Sequence, residues 1–238
     1  MSQRFVHPVH FTSAYALLGF RSGNPLIDAA VGGLRSDSIV FLKGASIPLL
    51  AAERYGVRAQ LPEFAGGLGG KTFFVDGGNS FDVYLFTRIA REYELDLDEA
   101  LSGMIISRAF TPYELQQLIV RDSKEALGAH RPKLLVVLDI FGLFTQDIDA
   151  DEARKIAGRI RNAIHRINRM LQIPVVITAR NGVEHLEPII DELCTIKVEF
   201  EEEDNRVKAR VSKHPSNQTA EIVQGLGAFP GNQVALLP

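Results

Sequence analysis

Short apolar runs alternate with longer segments of helical periodicity along most of the chain. The apolar runs are rich in branched and aromatic residues and predict buried strands at residues 38–43, 71–76, 103–109, 133–141 and 173–179. Helical patterns lie between them, at residues 47–59, 81–93, 111–127 and 151–171. Strands that alternate with helices at this spacing predict an α/β fold, a doubly wound and mainly parallel sheet flanked by helices.

The two ends of the chain depart from this alternation. Residues 1–37 form an N-terminal approach segment, in which Pro25–Leu34 predicts a short helix ended by a pair of glycines. Residues 195–238 begin with apolar and polar residues that alternate on both sides of an acidic turn, which predicts an antiparallel hairpin followed by a tail. We interpret residues 1–238 as a single domain, with the hairpin appended to the sheet.

The long helical segment at 151–171 has two distinct sides on a helical wheel. Its apolar residues lie within about 120° of one another and predict the side that packs on the sheet. The opposite side is basic and carries Arg154, Arg159, Arg161, Arg166 and Arg169. A basic helix face is either a solvated surface or a surface for DNA phosphates or an acidic partner, and the pattern leaves both interpretations open.

Composition and charge narrow the classes of function. The 46% hydrophobic and 23% charged content is typical of a globular protein, and the net charge of −3 provides no general attraction to nucleic acid or anionic membranes. No apolar run approaches the ~20 residues of a membrane span, and no signal peptide is evident. The single cysteine, Cys194, excludes an internal disulfide and a cysteine-based zinc site and suits the cytoplasm. We expect Cys194 to be buried, and we predict no metal site.

A strand, a sharp turn and a helix follow one another in Ser38–Ala51, with the sequence SIVFLKGASIPLLA. P-loop ATPases hold their phosphates in this arrangement, with the pattern G-x-x-x-x-G-K-[ST]. Counted from Gly44, the Gly, Lys and Ser/Thr positions hold Leu49, Leu50 and Ala51. The turn therefore has the place and length of a P-loop, without the lysine that binds phosphate or the hydroxyl that binds Mg²⁺.

A second turn, AGGLGGKT at residues 65–72, matches the P-loop pattern more closely. A P-loop follows a strand and opens a helix, so that the phosphates lie at the helix N-terminus. This turn instead follows a helix and opens a strand, and Lys71 and Thr72 should point to opposite faces of that strand. We therefore expect that it is not a phosphate site.

The order of these elements resembles that of the RecA/RadA-type recombinases and their archaeal paralogues. The matching segments, within residues 16–225, are the helix and Gly-Gly pair before the P-loop strand, GGLGGKTFFVD ending at Asp76, Arg108-Ala109-Phe110, LLVVLD ending at Asp139, and VVIT at 175–178. The resemblance implies a RecA-like core, which in that family binds ATP and Mg²⁺ and acts in DNA recombination.

The departures from that family fall on its nucleotide site. The phosphate lysine and the Mg²⁺-binding hydroxyl correspond to Leu50 and Ala51, and the catalytic glutamate corresponds to Gly78. Asp139 alone remains where the family has a Mg²⁺-linked carboxylate. The resemblance thus implies a degenerate nucleotide site, with no catalytic residue and no expected cofactor. This site comprises Gly44, Leu49, Leu50, Ala51, Asp76, Gly78 and Asp139.

Residues Phe11–Ala14 form an F-x-x-A tetrapeptide, the pattern with which recombinases of that family dock on the next subunit. Phe11 would anchor in one apolar pocket and Ala14 in a second. The motif is short, but it lies just before the core, where this role requires it.

These observations predict a RecA/RadA-like paralogue that does not hydrolyse ATP and serves DNA recombination or repair as an accessory or regulatory protein. Its expected partners are a recombinase or a second copy of itself, with DNA as a further candidate and no membrane. The alternative is an ATP- and Mg²⁺-dependent ATPase whose non-standard phosphate site uses Lys43, Lys71 or Thr72.

Overall fold

The computed structural model describes residues 19–144, 148–180, 183, 185–203, 206–216 and 219–225, without the side chains of residues 122–126. Its strands are β1 (Ile39–Lys43), β2 (Thr72–Asp76), β3 (Met104–Arg108), β4 (Leu134–Leu138), β5 (Val175–Ala179), β6 (Ile196–Glu203), β7 (Arg206–Lys213) and β8 (Ala220–Gly225). Its α-helices are α1 (Pro25–Val31), α2 (Ile47–Gln60), α3 (Val83–Glu92), α4 (Leu97–Ser102), α5 (Pro112–Gln117), α6 (Ser123–His130), α7 (Ala150–Leu171) and α8 (Glu187–Leu193).

The described strands form one sheet in the order β3-β2-β4-β5-β1-β6-β7-β8. All neighbours from β3 to β6 pair in parallel. β7 and β8 add to the edge in antiparallel pairs. The predicted α/β fold with a C-terminal antiparallel hairpin is confirmed, and the hairpin continues into a third antiparallel strand.

Two layers of helices cover the sheet. Helices α1–α4 pack on one face, together with Val40, Leu42 and Phe74. Helices α5–α8 pack on the other face, with Phe41 and Val75 among the strand residues beneath them. The central strands are buried on both faces, which explains why they are continuously apolar in the sequence.

Two predicted elements differ in detail from those of the structure. The helix predicted at 111–127 is instead α5, a π-helical turn at Leu118–Asp122 and α6, and it ends only at His130. The strand predicted at 133–141 ends at Leu138 because the next residue, Asp139, has a positive φ of 46°, which interrupts the extended backbone.

The approach segment joins the core through α1. Asn24 caps this helix by accepting hydrogen bonds from the N–H groups of Leu26 and Ile27. Gly32 ends it with a φ of 73°, as the paired glycines predicted. The face of α1 that holds Leu26 and Ile27 is fully buried, so this helix is part of the main core.

Candidate functional site at the carboxyl edge of the sheet

The C-terminal ends of the parallel strands meet at one edge of the sheet, which we call the carboxyl edge. It holds Lys43 at the end of β1, Asp76 at the end of β2, Asp139 directly after β4 and Arg180 directly after β5. Ligand sites of open α/β sheets lie at this edge. The residues of the predicted nucleotide site are therefore brought to the part of the fold where a ligand would bind.

The turn between β1 and α2 requires glycine at position 44. Gly44 has a φ of 143°, and a Cβ at this position would lie 2.5 Å from the carbonyl oxygen of Phe200 on β6. α2 then begins at Ile47, so the N–H groups of its first turn point toward the carboxyl edge. The strand, turn and helix predicted for Ser38–Ala51 are all present.

The first turns of α2 are apolar. Leu50 and Ala51 are buried, and Leu49 is half-buried and lines a small cavity at the carboxyl edge. Positions 50 and 51 therefore contribute packing to the core rather than an amine and a hydroxyl to the edge.

A carboxylate of the chain itself lies at the N-terminus of α2. Glu202 of β6 accepts hydrogen bonds from the N–H of Ser46 (2.8 Å), the hydroxyl of Ser46 (2.6 Å) and the N–H of Ile47 (3.2 Å). N–H groups at a helix start lack partners within the helix, and the helix dipole favours a negative charge beside them. P-loops use the same donors for phosphate. In this chain the N–H groups of Ser46 and Ile47 are bound to Glu202.

Asp139 is engaged as well. Arg180 donates its Nε–H to one carboxylate oxygen of Asp139 (2.7 Å) and its backbone N–H to the other (3.0 Å). The same guanidinium donates to the carbonyl oxygen of Gly78 (3.0 Å). The carboxylate that the resemblance links to Mg²⁺ thus has an arginine of the same chain as its cation.

Asp76 is fully buried and organises the loop after β2. Its carboxylate accepts the N–H groups of Gly78 (3.3 Å), Ser80 (2.8 Å) and Phe81 (3.3 Å). It also forms an ion pair with Arg108 (3.0 Å), the first residue of the Arg-Ala-Phe motif. Through these hydrogen bonds and this ion pair, the buried carboxylate of Asp76 holds β2, β3 and the loop after β2 in a fixed arrangement.

Little free space remains among these groups. A Cβ at Gly78 would overlap the carboxylate of Asp139, so a glutamate at position 78 would require Asp139 or the loop to move. The cavity between Leu49, Asp139 and Arg180 has a volume of about 180 Å³. Sites for small molecules usually have ~300–1,000 Å³.

A further carboxyl group, that of Glu53, is buried on α2 itself. Glu53 accepts the N–H of Asp82 (2.8 Å), and its other oxygen has no hydrogen-bond partner among the described residues. Burial raises the pKa of Glu53 to about 9, so the group is protonated and neutral at pH 7. Glu53 therefore adds no charge to the carboxyl edge at neutral pH.

Lys43 lies on the face of the sheet opposite α2. Its Nζ is 3.2 Å from Glu187 of α8 and 3.2 Å from Glu199 of β6. Burial alone would raise the pKa of Glu187, but hydrogen bonds from Lys197 and Lys43 outweigh it, so the pKa lies below its ordinary value. These ion pairs hold α8 against the sheet, and Lys43 is committed to them.

The glycine-rich loop at 65–72 lies at the opposite edge, where β2 begins. The N–H groups of residues 67–70 donate to carbonyl oxygens of residues 59–62 at the C-terminal end of α2. Thr72 is buried and donates its hydroxyl to a carbonyl of α2 (2.8 Å), whereas Lys71 is exposed. The loop therefore caps the end of α2, and its donors are not available to a phosphate.

The basic face of α7 is partly neutralised. Three of its five predicted arginines have partners: Arg154 with Asp151, Arg161 with Glu192, and Arg159 with Gln116. Arg166 and Arg169 are exposed, and neither has an ion pair with any described residue. None of the described helices, α7 included, is both long and apolar enough to cross a membrane.

The remaining predicted residues do not join this site. Phe11 and Ala14 lie outside the described residues. Cys194 is buried, as expected, and burial raises the pKa of its thiol to about 12, which makes it a poor nucleophile.

Sequence reasoning missed Glu202. It belongs to an acidic run that predicts an exposed turn, and it lies 156 positions from Ser46 in the chain. One signal was present: Ile196, Val198 and Phe200 alternate as the core-facing residues of β6, which places Glu202 on the same face. A charge on that face requires a partner, but the sequence does not say which one.

Comparison with known proteins agrees with this architecture. The Rad51 family profile matches residues 21–185, well over half of the chain. The chain is also similar to the meiotic recombination protein DMC1/LIM15 homologs of Homo sapiens (29% identity over 130 residues) and Mus musculus (28% over 130 residues). Each alignment covers 51% of this chain and 37% of the relative, so the chain spans little more than a third of these relatives. The parallel sheet and the extent of the profile match show that the chain belongs to the Rad51 family.

Proposed function

We propose that this Rad51-family chain is a non-hydrolysing accessory or regulatory protein of DNA recombination or repair. The observation that carries the proposal is the binding of Glu202 by Ser46 and Ile47, at a helix start that lacks a phosphate-binding lysine. Phosphoryl transfer depends on positive charge placed around the phosphates, and this helix start presents a carboxylate there instead. The process is inferred from the relatives, which are named as meiotic recombination proteins.

The groups at the carboxyl edge do not fit a magnesium nucleotide, so the proposal includes no cofactor. A phosphate would have to displace Glu202 from α2, and Mg²⁺ would have to displace Arg180 from Asp139. The cavity of about 180 Å³ is also small for a nucleotide.

The alternative, an ATPase with a non-standard phosphate site, has weaker support. Lys71 and Thr72 lie at the opposite edge of the sheet from Asp139, and the hydroxyl of Thr72 is buried against α2. Lys43 lies on the other face of the sheet from α2 and pairs with two glutamates. Lys71 and Thr72 are thus too far from the carboxyl edge to meet a phosphate there, and Lys43 would have to leave both of its ion pairs.

The proposal is tested with two measurements on the purified chain of residues 1–238. Steady-state phosphate release from ATP, with and without single-stranded DNA, should not exceed the background of a protein-free control. DNA strand exchange by a catalytically active Rad51-family recombinase should change in rate or yield when the chain is added in stoichiometric amounts.

Either of two results would overturn the proposal. One is ATP hydrolysis that co-purifies with the chain and is lost in Lys71→Ala or Asp139→Ala, which would establish the alternative. The other is recombinase activity that stays the same at every concentration of the chain. Bovine serum albumin at the same concentration controls for crowding and surface effects.

We propose further that the chain docks on a second copy or on a recombinase through Phe11 and Ala14. Within the described residues, the outermost parallel strand β3 pairs on one side only, and Ile106, Phe110 and Tyr113 on or near it are exposed apolar side chains. An exposed edge with apolar neighbours favours strand addition by a partner. Light scattering should show a larger species for the wild type than for Phe11→Ala, and equal masses would refute self-docking.

DNA remains a second candidate partner because Arg166 and Arg169 are exposed without an ion pair among the described residues. Arg166→Glu with Arg169→Glu should weaken DNA retention in a gel shift. The matched double variant Arg154→Glu with Arg161→Glu changes the same charge at arginines that already have acidic partners. Equal shifts for the two double variants would argue against the unpaired arginines as a DNA surface.

A further inference from the structure

The carboxyl edge has one position that attracts an anion and one that attracts a cation, and side chains of the chain itself fill both: Glu202 fills the first and Arg180 the second. The N-terminus of α2 attracts an anion, and a carboxylate of β6 is bound there. Asp139 attracts a cation, and the guanidinium of Arg180 is bound there. Both counter-ions come from the same chain and from strands or loops adjacent to the site.

The contact of Glu202 has the geometry of a bound oxyanion. Its two carboxylate oxygens share three donors: one oxygen takes the N–H groups of Ser46 and Ile47, and the other takes the hydroxyl of Ser46. Such charge-assisted hydrogen bonds are about twice as strong as neutral ones. Glu202 lies on the core-facing side of β6, beyond Phe200, so the strand itself aims the carboxylate at α2.

A tethered carboxylate competes strongly with a free anion. Glu202 is held by a strand that pairs with β1 and β7, so it needs no diffusion to reach α2. Tethered groups have effective concentrations on the order of mM or above, and a free oxyanion must exceed this before it can replace the carboxylate. The contact also joins the C-terminal strands to the N-terminal half of the fold.

We infer that Glu202 is a built-in substitute for a ligand oxyanion, which keeps the carboxyl edge in one conformation when no ligand is bound. Arg180 performs the corresponding task at Asp139. This inference rests on the proposed function, since a chain that acts without nucleotide needs another means to hold these loops. The surfaces around the site are then constitutively formed and do not depend on a nucleotide cycle.

The test compares thermal unfolding of Glu202→Ala with that of Glu203→Ala in a phosphate-free, sulfate-free buffer. Glu203 is the adjacent glutamate, and its side chain is exposed and has no described hydrogen bond or ion pair, so it controls for the loss of a charge. We expect the Tm of Glu202→Ala to fall by about 3–6 °C relative to Glu203→Ala, the shift that loss of about 1–2 kcal/mol produces in a chain of this size.

Inorganic pyrophosphate then separates an oxyanion site from an ordinary surface contact. Pyrophosphate at about 5–10 mM should fill a weak anion site by mass action. It should therefore raise the Tm of Glu202→Ala by more than it raises the Tm of the wild type. Arg180→Ala should also melt earlier than the wild type, but pyrophosphate should not restore it, because Glu202 still occupies α2. Should Glu202→Ala fail to fold, Glu202→Gln keeps the shape and removes the charge.

Three results would overturn the inference: equal melting of the 202 and 203 variants, failure of pyrophosphate to stabilise Glu202→Ala, or equal stabilisation of the wild type. These outcomes are separate from those that decide the proposed function. A wild type that hydrolyses ATP would end the proposed function, whereas equal melting of the two alanine variants would end this inference alone.

Discussion

Helix α2 has a turn at each end that resembles a phosphate-binding loop, and the two turns perform opposite tasks. At its N-terminus, after Gly44, the helix presents N–H donors, and a carboxylate from Glu202 accepts from them. At its C-terminus the helix presents carbonyl oxygens, and the N–H groups of the glycine-rich loop at 65–72 donate to them. The polarity of the helix, rather than the match to a motif, decides which turn can hold an anion.

The two ends of α2 also differ in the charge that lies around them. The carboxyl edge contains two buried carboxylates that depend on specific partners, Asp76 with the exposed Arg108 and Asp139 with the exposed Arg180. The opposite edge near β2 is held mainly by neutral hydrogen bonds, such as that of Thr72. Substitutions at the carboxyl edge should therefore have larger effects on stability than those at the glycine-rich loop.

The largest effect is expected at Asp76. Asp76→Ala leaves three backbone N–H groups without their acceptor and removes the partner of Arg108, so the free energy of unfolding should fall by about 3–5 kcal/mol, at about 1–3 kcal/mol for each unsatisfied donor. Urea denaturation followed by circular dichroism measures this change. The control Asp98→Ala removes an exposed carboxylate from α4 and should stay within about 0.5 kcal/mol of the wild type. Equal midpoints for the two variants would contradict the role given to Asp76.

An effect of opposite sign, an increase in the free energy of unfolding, is expected when Glu53 is replaced by glutamine. The pKa of its carboxyl rises from 4.5 in the unfolded chain to about 9 in the folded one, so the folded state holds a proton that the unfolded state releases between these values. Stability from this group is therefore complete below pH 4.5 and is lost as the pH rises toward 9. Glu53→Gln removes this loss and should stabilise the fold at pH 8 by on the order of a few kcal/mol, since each pH unit between the two pKa values contributes about 1.4 kcal/mol.

The difference in stability between the wild type and Glu53→Gln should depend on pH. Unfolding midpoints of the wild type and Glu53→Gln should converge near pH 4.5 and separate steadily up to pH 9. A constant difference across this range would mean that the carboxyl does not titrate with the raised pKa. Glu94→Gln, at an exposed glutamate after α3, provides the matched control.

A moderate effect is expected at the other end of α2. Thr72→Val keeps the shape of the side chain but leaves the carbonyl of Gly56 without its hydroxyl donor, at a cost of about 1 kcal/mol. Pyrophosphate should change the Tm of Thr72→Val no more than it changes the Tm of the wild type. A new response to pyrophosphate in this variant would indicate that the two ends of α2 are coupled.

The smallest effect is expected at Lys71. Its side chain is exposed and has no described ion pair, so Lys71→Ala should change the free energy of unfolding by less than about 0.5 kcal/mol. Any phosphate release measured for the wild type should be the same for this variant. A selective loss of release in Lys71→Ala would make the glycine-rich loop a functional phosphate site after all.

Much of the architecture could be predicted because it depends on local patterns. Continuous apolar runs predicted the central strands, and the paired glycines after α1 predicted its end at Gly32. The π-helical turn at Leu118–Asp122 was not predictable, since the residues there continue an ordinary helical pattern. The partner of Glu202 was equally hidden, because the period of β6 predicts which face a side chain takes but not which helix lies there.

The sequence by itself determined the order of strands and helices along the chain, the absence of a lysine at position 50 and the presence of glycine at position 78. These are properties of residue type and spacing, and no folding is needed to read them. Only the tertiary structure decided that Glu202 meets Ser46, that Arg180 meets Asp139 and that the glycine-rich loop closes the far end of α2. The order of the strands within the sheet and the direction of each helix create these contacts between residues far apart in the chain. Neither can be read from a single local pattern of residues.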